Sequence, residues 1–396
     1  MKLRSIRTYF FQFLRLFFYT LADSFAFLIP SKSNEKKILI IRPDGIGDYI
    51  VFLDALSNIR EIYPSSKYSI TVLCNEYLKV LAENDPKVDH VIPINRGKIV
   101  DNLVYRFGVL VGIRKGNFGI VLHPLYNRDI FRGDLLARIS AAEIKVSFFA
   151  NQNGRLPWQN KLTDSWYTSL VDPGAEFQME LQRNTDFVNS LSVEQFQERL
   201  PVIQLKNAAP PPSIVRGKKY FVIFPGSGWI KRNWPLSNFM QLAKKIMRQT
   251  GLELVVCGGP GENFLSSQLL DYQGINFIDL IGKTDLIELT QVISQADFLI
   301  SNDTAATHLA SATSTLSFCI VGGGNFGRFL PYKLRKSNAN IGPVVINEKM
   351  DCYHCSWECT QEDISLAVPC IEKISVDKAY DIINHKLNSE RECLPK

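Results

Sequence analysis

Four segments of this 396-residue chain carry side chains that could do chemistry, and each follows a short apolar run typical of a buried strand. Their glycines permit tight turns, while the accompanying acids, cations and hydroxyls can bind anions and hydroxylated ligands. Because ligands of α/β sheets bind at strand ends, the segments predict one site assembled from several loops. They are RPDGIGD at residues 42–48, FPGSGWIKRNWP at 224–235, CGGPGE at 257–262 and SNDTAATHLA at 301–310.

Asp48 closes the first segment, where the next helix is predicted to begin. Its carboxylate could cap that helix by accepting free amide protons, or it could act as a general base, and the residues alone leave both roles open. The segment does not match a dinucleotide-binding fingerprint, because Ile50 occupies the position of the third glycine. A nicotinamide-dependent oxidoreductase is therefore disfavoured.

The second segment is typical of an anion-binding loop. Gly226 and Ser227 lie in a turn whose backbone N–H groups could face a ligand, and the adjacent cations Lys231 and Arg232 could neutralise a diphosphate. Pro235 suits the first turn of the helix that follows. A glycine-rich turn with solvated charges is the alternative interpretation.

The third and fourth segments add an acid and a histidine. Glu262 could accept the hydroxyls of a ribose, or it could simply stabilise a helix N-terminus. In the fourth segment a helix is predicted to start near Thr304, which places Thr304 and His308 one turn apart on one face. Asp303 is expected to cap this helix, whose free amides would then face an anion. A structural role for His308 is the alternative.

The elements that position these segments alternate between strands and helices. Strand-like runs such as KKILIIR, YSITVLC and FGIVLHP recur with helical stretches between them, and the pattern restarts at YFVIFPG. This alternation predicts two doubly wound α/β domains in tandem. Three consecutive prolines separate them, so the predicted domains are residues 36–207 and 218–396, joined by a proline-rich linker at 208–217.

The net charge of +6 is concentrated at the N-terminus. Residues 1–37 contain seven basic and two acidic residues, which leaves the rest of the chain nearly neutral. A nucleic-acid-binding protein normally carries a basic face on its folded body, so this distribution argues against a nucleic-acid partner.

The N-terminal segment is also rich in aromatic residues. Its uncharged runs are interrupted at Arg15 and Asp23 and are too short to span a bilayer. A polar stripe opposite Phe and Leu side chains predicts an amphipathic membrane-associating segment at residues 1–35, with membrane contact through residues 1–30. A helix packed on the protein's own surface and a disordered segment are the alternatives.

Four of the eight cysteines lie within 19 residues, at Cys352, Cys355, Cys359 and Cys370. In a reducing compartment such a cluster favours a structural zinc or an iron–sulfur cluster over disulfides. Free or redox-active thiols and disulfides remain as alternatives. Cys74, Cys257 and Cys319 lie in strand-like runs, where cysteine behaves as a small apolar residue.

Taken in order, the motifs resemble glycosyltransferase family 9, the lipopolysaccharide heptosyltransferases, over about residues 36–325. The resemblance rests on IIRPDGIGDYIVFLDAL, FPGSGWIKRNWP, CGGPGE, DLIGKTDLIEL and SNDTAATHLA. It implies the GT-B architecture, in which two Rossmann-like doubly wound parallel-sheet domains face a central cleft. It also implies an inverting transfer, without a catalytic cofactor or metal, from a nucleotide-diphosphate sugar such as ADP-heptose to a lipopolysaccharide or related cell-envelope glycan.

The resemblance assigns roles to individual residues. It makes Asp48 the catalytic base, Arg232 or alternatively Lys231 a diphosphate ligand, and Glu262 a ribose ligand. The predicted donor site further includes Gly226 and Ser227, the loop Gly282, Lys283 and Thr284 near the nucleotide base, and Asp303, Thr304, Ala305 and His308 at the donor sugar and phosphates.

An enzyme of this kind is expected in the cytoplasm, peripheral on the inner face of the cytoplasmic membrane. The chain departs from the family at Ala305, where glycine is usual, and in the loop GGGNFGR after LSFCIV. A noncatalytic GT-B protein that binds nucleotide sugars is therefore the alternative function.

Overall fold

The computed structural model describes residues 19–20, 23–151, 156–207, 210–272, 274–336, 342–360 and 367–393. These residues form two compact units. The first contains the chain up to Asp44, Ile59–Pro173 and Ser190–Val193. The second contains Gly45–Asn58, Gly174–Asn189 and the chain from Glu194 onward, so two segments from the first half of the sequence belong to it.

The first unit is built on a six-stranded sheet in the order β3-β2-β1-β4-β5-β6, in which all neighbouring strands are parallel. The central strand β1 is apolar and buried from Ile38 to Ile41, where both of its faces are covered, and Ile38 pairs with Ile70 on one side and Ile120 on the other. The strands are β1 (Asn34–Arg42), β2 (Ser69–Asn75), β3 (His90–Ile94), β4 (Phe118–His123), β5 (Ile144–Phe148) and β6 (Ser169–Val171).

Helices connect these parallel strands, as crossover connections require. The first of them begins in the second unit and ends in the first, since its residues up to Asn58 group with the second unit. The helices of this half of the chain are α1 (Ile46–Ile62), α2 (Lys79–Asn84), α3 (Lys98–Asp101), α4 (Leu103–Lys115), α5 (Leu135–Ile139), α6 (Pro157–Asp164) and α7 (Glu180–Asn189).

The second unit has a six-stranded parallel sheet in the order β12-β11-β10-β7-β8-β9. Chain order reverses between β7 and β10, which is where ligands bind in sheets of this type. The strands are β7 (Tyr220–Phe224), β8 (Glu253–Gly258), β9 (Phe277–Ile281), β10 (Leu299–Asn302), β11 (Ser317–Ile320) and β12 (Val344–Ile346). The helices are α8 (Leu236–Thr250), α9 (Phe264–Leu269), α10 (Leu286–Ser294), α11 (Ala305–Ala312), α12 (Pro369–Glu372) and α13 (Val376–Cys393).

Helix α8 illustrates how local sequence sets these bounds. Pro235 is its N-cap residue, and Gly251 ends it in the left-handed conformation at φ 72°, donating its N–H to the Met247 carbonyl. Phe239, Leu242, Ala243 and Ile246 lie at the spacing of one helical face and are buried in the core of the second unit.

Most of the N-terminal segment lies outside the described residues, so the predicted membrane contact stays a prediction. In its described part, Asp23 and Ala26 are buried in the first unit. Arg106 donates from Nε and Nη2 to the two carboxylate oxygens of Asp23 at 2.8 and 2.7 Å, and its guanidinium lies 4.8 Å from the Tyr19 ring centroid. Within the described residues no helix is both long enough and apolar enough to cross a bilayer.

Replacing Asp23 with alanine should destabilise the first unit strongly, because it leaves the buried Arg106 charge without its carboxylate. Loss of one partner of a buried ion pair costs about 3–5 kcal/mol. Urea denaturation should show the lower midpoint. Asp377→Ala, which removes the exposed partner of Lys245, serves as the control and should stay near wild type. Equal midpoints for Asp23→Ala and wild type would contradict the argument.

Candidate functional site

Three of the four predicted segments follow β7, β8 and β10 and leave the same edge of the second sheet, because its strands are parallel. Glu262 connects two of them. Gly259 donates its N–H to Glu262 Oε2 at 2.7 Å, and a Cβ at Gly226 would overlap the Glu262 carboxylate. Burial raises the pKa of the Glu262 carboxyl, and the hydrogen bond from Gly259 lowers it. Gly226 is therefore required by a close approach between the loops after β7 and β8.

Asn302, at the end of β10, fixes the loop after β7. Its Nδ2 donates to the Pro225 carbonyl at 2.5 Å, and its Oδ1 accepts the backbone N–H of Trp234 at 2.9 Å. Trp234 is itself buried and donates its indole N–H to the Ile374 carbonyl at 2.8 Å. Sequence reasoning assigned no role to Asn302, although its amide beside the Asp-Thr pair is the signal that could have identified it.

The two candidate cations lie on a single 3-10 turn, Ile230–Arg232. The Arg232 guanidinium carbon lies 5.3 Å from the centroid of the Trp357 ring, and its Nε is buried without a hydrogen-bond partner among the described residues. Lys231 is half-buried, and its carbonyl accepts the N–H of Val368 at 2.9 Å.

The other predicted residues of these loops interact mainly with their own segments. The Ser227 hydroxyl donates within its loop, lying 2.9 Å from the Trp229 carbonyl and 2.5 Å from Asn233 Oδ1. Lys283 forms an ion pair with Asp279 at 2.7 Å. Gly282 adopts φ +67°, a left-handed conformation that explains the glycine in GKT, and Thr284 follows in the same turn before α10.

Asp303 is electrostatically coupled to two other predicted residues. Burial raises the pKa of its carboxyl, the Arg232 charge lowers it, and the Asp48 charge raises it again. The charges of both Arg232 and Asp48 therefore act on the Asp303 carboxyl, and all three residues belong to the second unit.

Asp48 lies in the first turn of α1, where its Oδ2 accepts the Gly45 N–H at 3.2 Å. This bond stabilises the turn and leaves the proposed base role open. The neighbouring Gly47 approaches α11 closely: a Cβ there would lie 3.0 Å from His308 Cδ2 and 3.7 Å from the Ala305 Cα. A glycine at position 47 therefore lets the PDGIGD turn lie against the SNDTAATHLA segment.

The prediction that Asp303 caps the following helix is wrong. Helix α11 begins at Ala305, and its N-cap residue is Thr304, whose side chain makes no capping hydrogen bond. The reason is that the Asp303 N–H continues the sheet by donating to the Ile320 carbonyl at 3.1 Å, which delays the turn into the helix by one residue.

His308 is 3% exposed and shares a hydrogen bond of 2.6 Å between its Nδ1 and the Tyr332 hydroxyl. Its ring stacks on Tyr332 with centroids 5.8 Å apart and meets Phe329 edge-on at 6.4 Å. Burial lowers the pKa of the His308 imidazole to about 4. At neutral pH this residue is therefore an uncharged hydrogen-bonding group, not a cation.

The four clustered cysteines line one small cavity of about 10 Å³, together with Trp357, Met350 and the backbone at Gly323 and Gly324. Gly323 donates its N–H to the Cys370 sulfur at 3.4 Å, and the buried indole N–H of Trp357 has no hydrogen-bond partner within the part of the chain that the structure describes. Two N–H groups of this kind suit sulfurs that carry negative charge.

Among the described residues, however, no three His, Cys, Asp or Glu side chains are arranged as ligands for a metal ion. The seven cysteines with described side chains are free, so none of them forms a disulfide. Cys74, Cys257 and Cys319 are buried in strands, as predicted, and burial raises the pKa of Cys74 to about 12.

The arrangement combines what a group transfer between polar molecules needs. A carboxylate on a helix can take a proton, an arginine and uncapped helix amides can stabilise an anion, and a second carboxylate can hold hydroxyls.

The sequence profile of glycosyltransferase family 9 (heptosyltransferase) matches residues 127–356, more than half of the chain. Among curated proteins, lipopolysaccharide heptosyltransferase 3 of Escherichia coli is 23% identical over 285 residues, which cover 68% of this chain and 78% of that protein.

Solved structures share the fold. A family 9 glycosyltransferase from Veillonella parvula has a TM-score of 0.68 at 18% identity, covering 90% of this chain and 99% of that one. E. coli heptosyltransferase WaaC with ADP has a TM-score of 0.61 at 17% identity, covering 89% and 98%. TibC from E. coli, described as an iron-containing dodecameric glycosyltransferase, has a TM-score of 0.54 at 15% identity, covering 91% and 78%.

His308 should make the second unit less stable in mild acid. Its pKa lies below the ordinary value of 6.5, so between pH 6.5 and about 4 the unfolded chain binds a proton that the folded protein does not. The contribution of His308 to the free energy of unfolding is fully present above pH 6.5. It decreases as the pH is lowered, by up to about 1.4 kcal/mol per pH unit.

Urea unfolding of wild type and His308→Gln across this range should show the difference, because glutamine cannot be protonated there. His90→Gln, at an exposed position on β3, is the control and should keep the wild-type pH dependence. If His308→Gln retains the full acid sensitivity, the buried neutral imidazole is not its source.

Proposed function

Because the chain belongs to glycosyltransferase family 9 and has its GT-B fold, we propose that it moves a sugar from ADP-heptose or a similar nucleotide-diphosphate sugar to lipopolysaccharide or a related cell-envelope glycan. The transfer is inverting and uses no metal or catalytic cofactor. The E. coli relatives named as heptosyltransferases, one of them solved with ADP, support this choice of donor.

The donor occupies the carboxyl edge of the second sheet. Arg232, with Lys231 beside it, stabilises the diphosphate, and the uncapped start of α11 adds amide dipoles at Thr304 and Ala305. The Glu262 carboxylate accepts hydrogen bonds from the ribose hydroxyls, as an acidic residue does in many nucleotide-binding sites. The turn of Gly282, Lys283 and Thr284 lies at the base, and Gly226 and Ser227 shape the loop beneath it.

Asp48 is the base in this mechanism. The acceptor hydroxyl loses its proton to the Asp48 carboxylate as its oxygen attacks the anomeric carbon, and the bond from that carbon to the diphosphate breaks. The departing diphosphate gains negative charge, which Arg232 and the helix amides stabilise. A single displacement of this kind inverts the anomeric configuration. Support comes from the coupling of Asp48 to Asp303, which joins the predicted base to the donor motif.

His308 has a supporting part. As a buried neutral ring in contact with the Gly47 turn, it holds α11 against the segment that carries Asp48. We place the enzyme in the cytoplasm, on the inner face of the cytoplasmic membrane, with residues 1–30 contacting the lipid surface where a glycolipid acceptor resides.

The test is the replacement of Asp48 by asparagine, which keeps the shape of the side chain and removes the base. Transfer from the donor that stabilises wild type best in a thermal-shift panel of nucleotide sugars should fall about 10²–10⁴-fold. Binding of the corresponding nucleoside diphosphate should be retained. Initial rates and calorimetric binding give the two quantities.

Glu61→Gln, at the exposed last turn of the same helix, is the matched control and should keep the wild-type rate. Nucleotide-sugar binding without any turnover by wild type would replace this proposal with the noncatalytic binding protein. An unchanged rate in Asp48→Asn would remove Asp48 as the base.

We also propose a structural zinc or an iron–sulfur cluster at Cys352, Cys355, Cys359 and Cys370. Four thiols around one cavity match the ligand preference of these metals, and the N–H groups of Gly323 and Trp357 suit bound thiolates. The solved relative described as iron-containing supports a metal in this type of fold. Because the described side chains do not form a ligand set, metal binding requires the cysteines to turn further into the cavity.

Elemental analysis of the purified protein should find about one equivalent of metal per chain, or several of iron if a cluster forms. Cys370→Ser should lower the content, because it removes a ligand. Cys74→Ala, buried in β2 of the first unit, should not. A wild-type protein without bound metal, after growth in medium supplemented with zinc and iron, would refute the site.

A further inference from the structure

The cysteine-rich segment contacts the loop that carries the candidate diphosphate ligand. We call residues 352–359 the cysteine loop. Trp357 of this loop lies under the Arg232 guanidinium at 5.3 Å and meets the Trp229 ring edge-on at 6.1 Å. A few residues further on, Val368 donates its N–H to the Lys231 carbonyl. The two segments are thus joined at Arg232 through a side chain and at Lys231 through the backbone.

The Trp357 ring is held firmly in this place. A Cβ at Gly324 would overlap the indole, and a Cβ at Gly322 would lie 3.0 Å from its outer edge, so the ring packs closely against the backbone of these two glycines. His354, Ser356 and Trp357 all adopt positive φ values, between 50° and 68°, which curls the loop so that the indole faces inward.

Arg232 depends on this surface for its orientation. Its Nε is buried and makes no hydrogen bond among the described residues, while an aromatic face attracts a guanidinium and fixes its plane. A guanidinium with an aromatic ring on one side keeps N–H groups available on its other sides, where they can meet phosphate oxygens.

We infer that Trp357 is a positioning residue for the donor diphosphate, acting through Arg232. This inference rests on the proposed function, since it requires a nucleoside diphosphate beside Arg232. The cysteine loop then has a role in the reaction. Its cysteines line the same cavity as Trp357, so their positions affect the position of the Trp357 ring and, through that ring, the orientation of Arg232.

Calorimetry with the full-length protein separates this role from simple support of the fold. Trp357→Leu should weaken ADP binding about five- to tenfold, the range expected for loss of a cation–π contact of this kind. Adenosine, which has no phosphates, should bind as it does to wild type. Trp357→Phe retains an aromatic face and should lose only about twofold. Trp158→Leu, at a half-exposed tryptophan of the first unit, is the control and should change neither affinity.

A double-mutant cycle tests the route through Arg232. In an Arg232→Met background, Trp357→Leu should cause no further loss of ADP affinity, because the residue it orients is gone. Equal losses for ADP and adenosine, or losses that add in the double variant, overturn the inference. If Trp357→Leu does not fold, the ADP affinity of Trp357→Phe becomes the test. An affinity of Trp357→Phe identical to that of wild type then overturns the inference.

Failure of the proposed function can be distinguished from failure of the role of Trp357. ADP, UDP, GDP and CDP are tested on wild type first, and the strongest binder replaces ADP in the comparison. Absence of binding by all four refutes the donor site itself, and with it this inference. Binding by wild type that Trp357→Leu leaves intact refutes only the role of Trp357.

Discussion

The His308 ring lies so close to Gly47 that a Cβ at position 47 would be only 3.0 Å from its Cδ2 atom, and the rest of the candidate site depends on this close approach. A larger residue at position 47 would have to displace a buried imidazole that is hydrogen-bonded to Tyr332. Because glycine avoids that conflict, the turn after β1 lies against the first residues of α11. Asp48 and Asp303 therefore share one electrostatic environment although they are far apart in the chain.

Two carboxylates so placed would repel each other without a compensating cation. Arg232 supplies that charge, and it lowers the pKa of the Asp303 carboxyl that burial and Asp48 raise. The guanidinium can serve both the acids and an incoming diphosphate only if its plane is fixed. In this chain the Trp357 ring lies beside the Arg232 guanidinium, 5.3 Å from its central carbon, whereas a lysine at position 232 would have no plane to orient.

Much of this architecture could be predicted from the sequence. Continuous apolar runs identified most strands of both sheets, although β5, β6 and β12 were not predicted, and glycine at the ends of β7, β8 and β9 marked the loops that follow them. The family assignment and the glycosyltransferase activity are confirmed by the profile match. These features are local or repeat along the chain, which is why periodicity and spacing reveal them.

The remaining features depend on contacts between distant residues. Asp303 was expected to cap a helix, but its backbone N–H donates to the Ile320 carbonyl of β11. No pattern in the neighbouring sequence predicts this hydrogen bond. Asn302 lies within the SNDTAATHLA motif, but its hydrogen-bond partners Pro225 and Trp234 belong to another segment. Trp357 contacts Arg232, which is also distant in the sequence, so a local pattern reveals neither contact. The burial that keeps His308 neutral comes from Tyr332 and Phe329, which follow in a loop with no regular pattern.

The grouping of Gly45–Asn58 and Gly174–Asn189 with the second unit has a practical consequence. Val51, Met179 and Leu181 pack with Cys319 and Val321 in a single apolar cluster. A polypeptide that starts at the proline run would lack the first three of these side chains, and its bare hydrophobic surface would favour aggregation. To express the two units as separate proteins, the second unit would therefore need Gly45–Asn58 and Gly174–Asn189 joined to the chain from Glu194 onward.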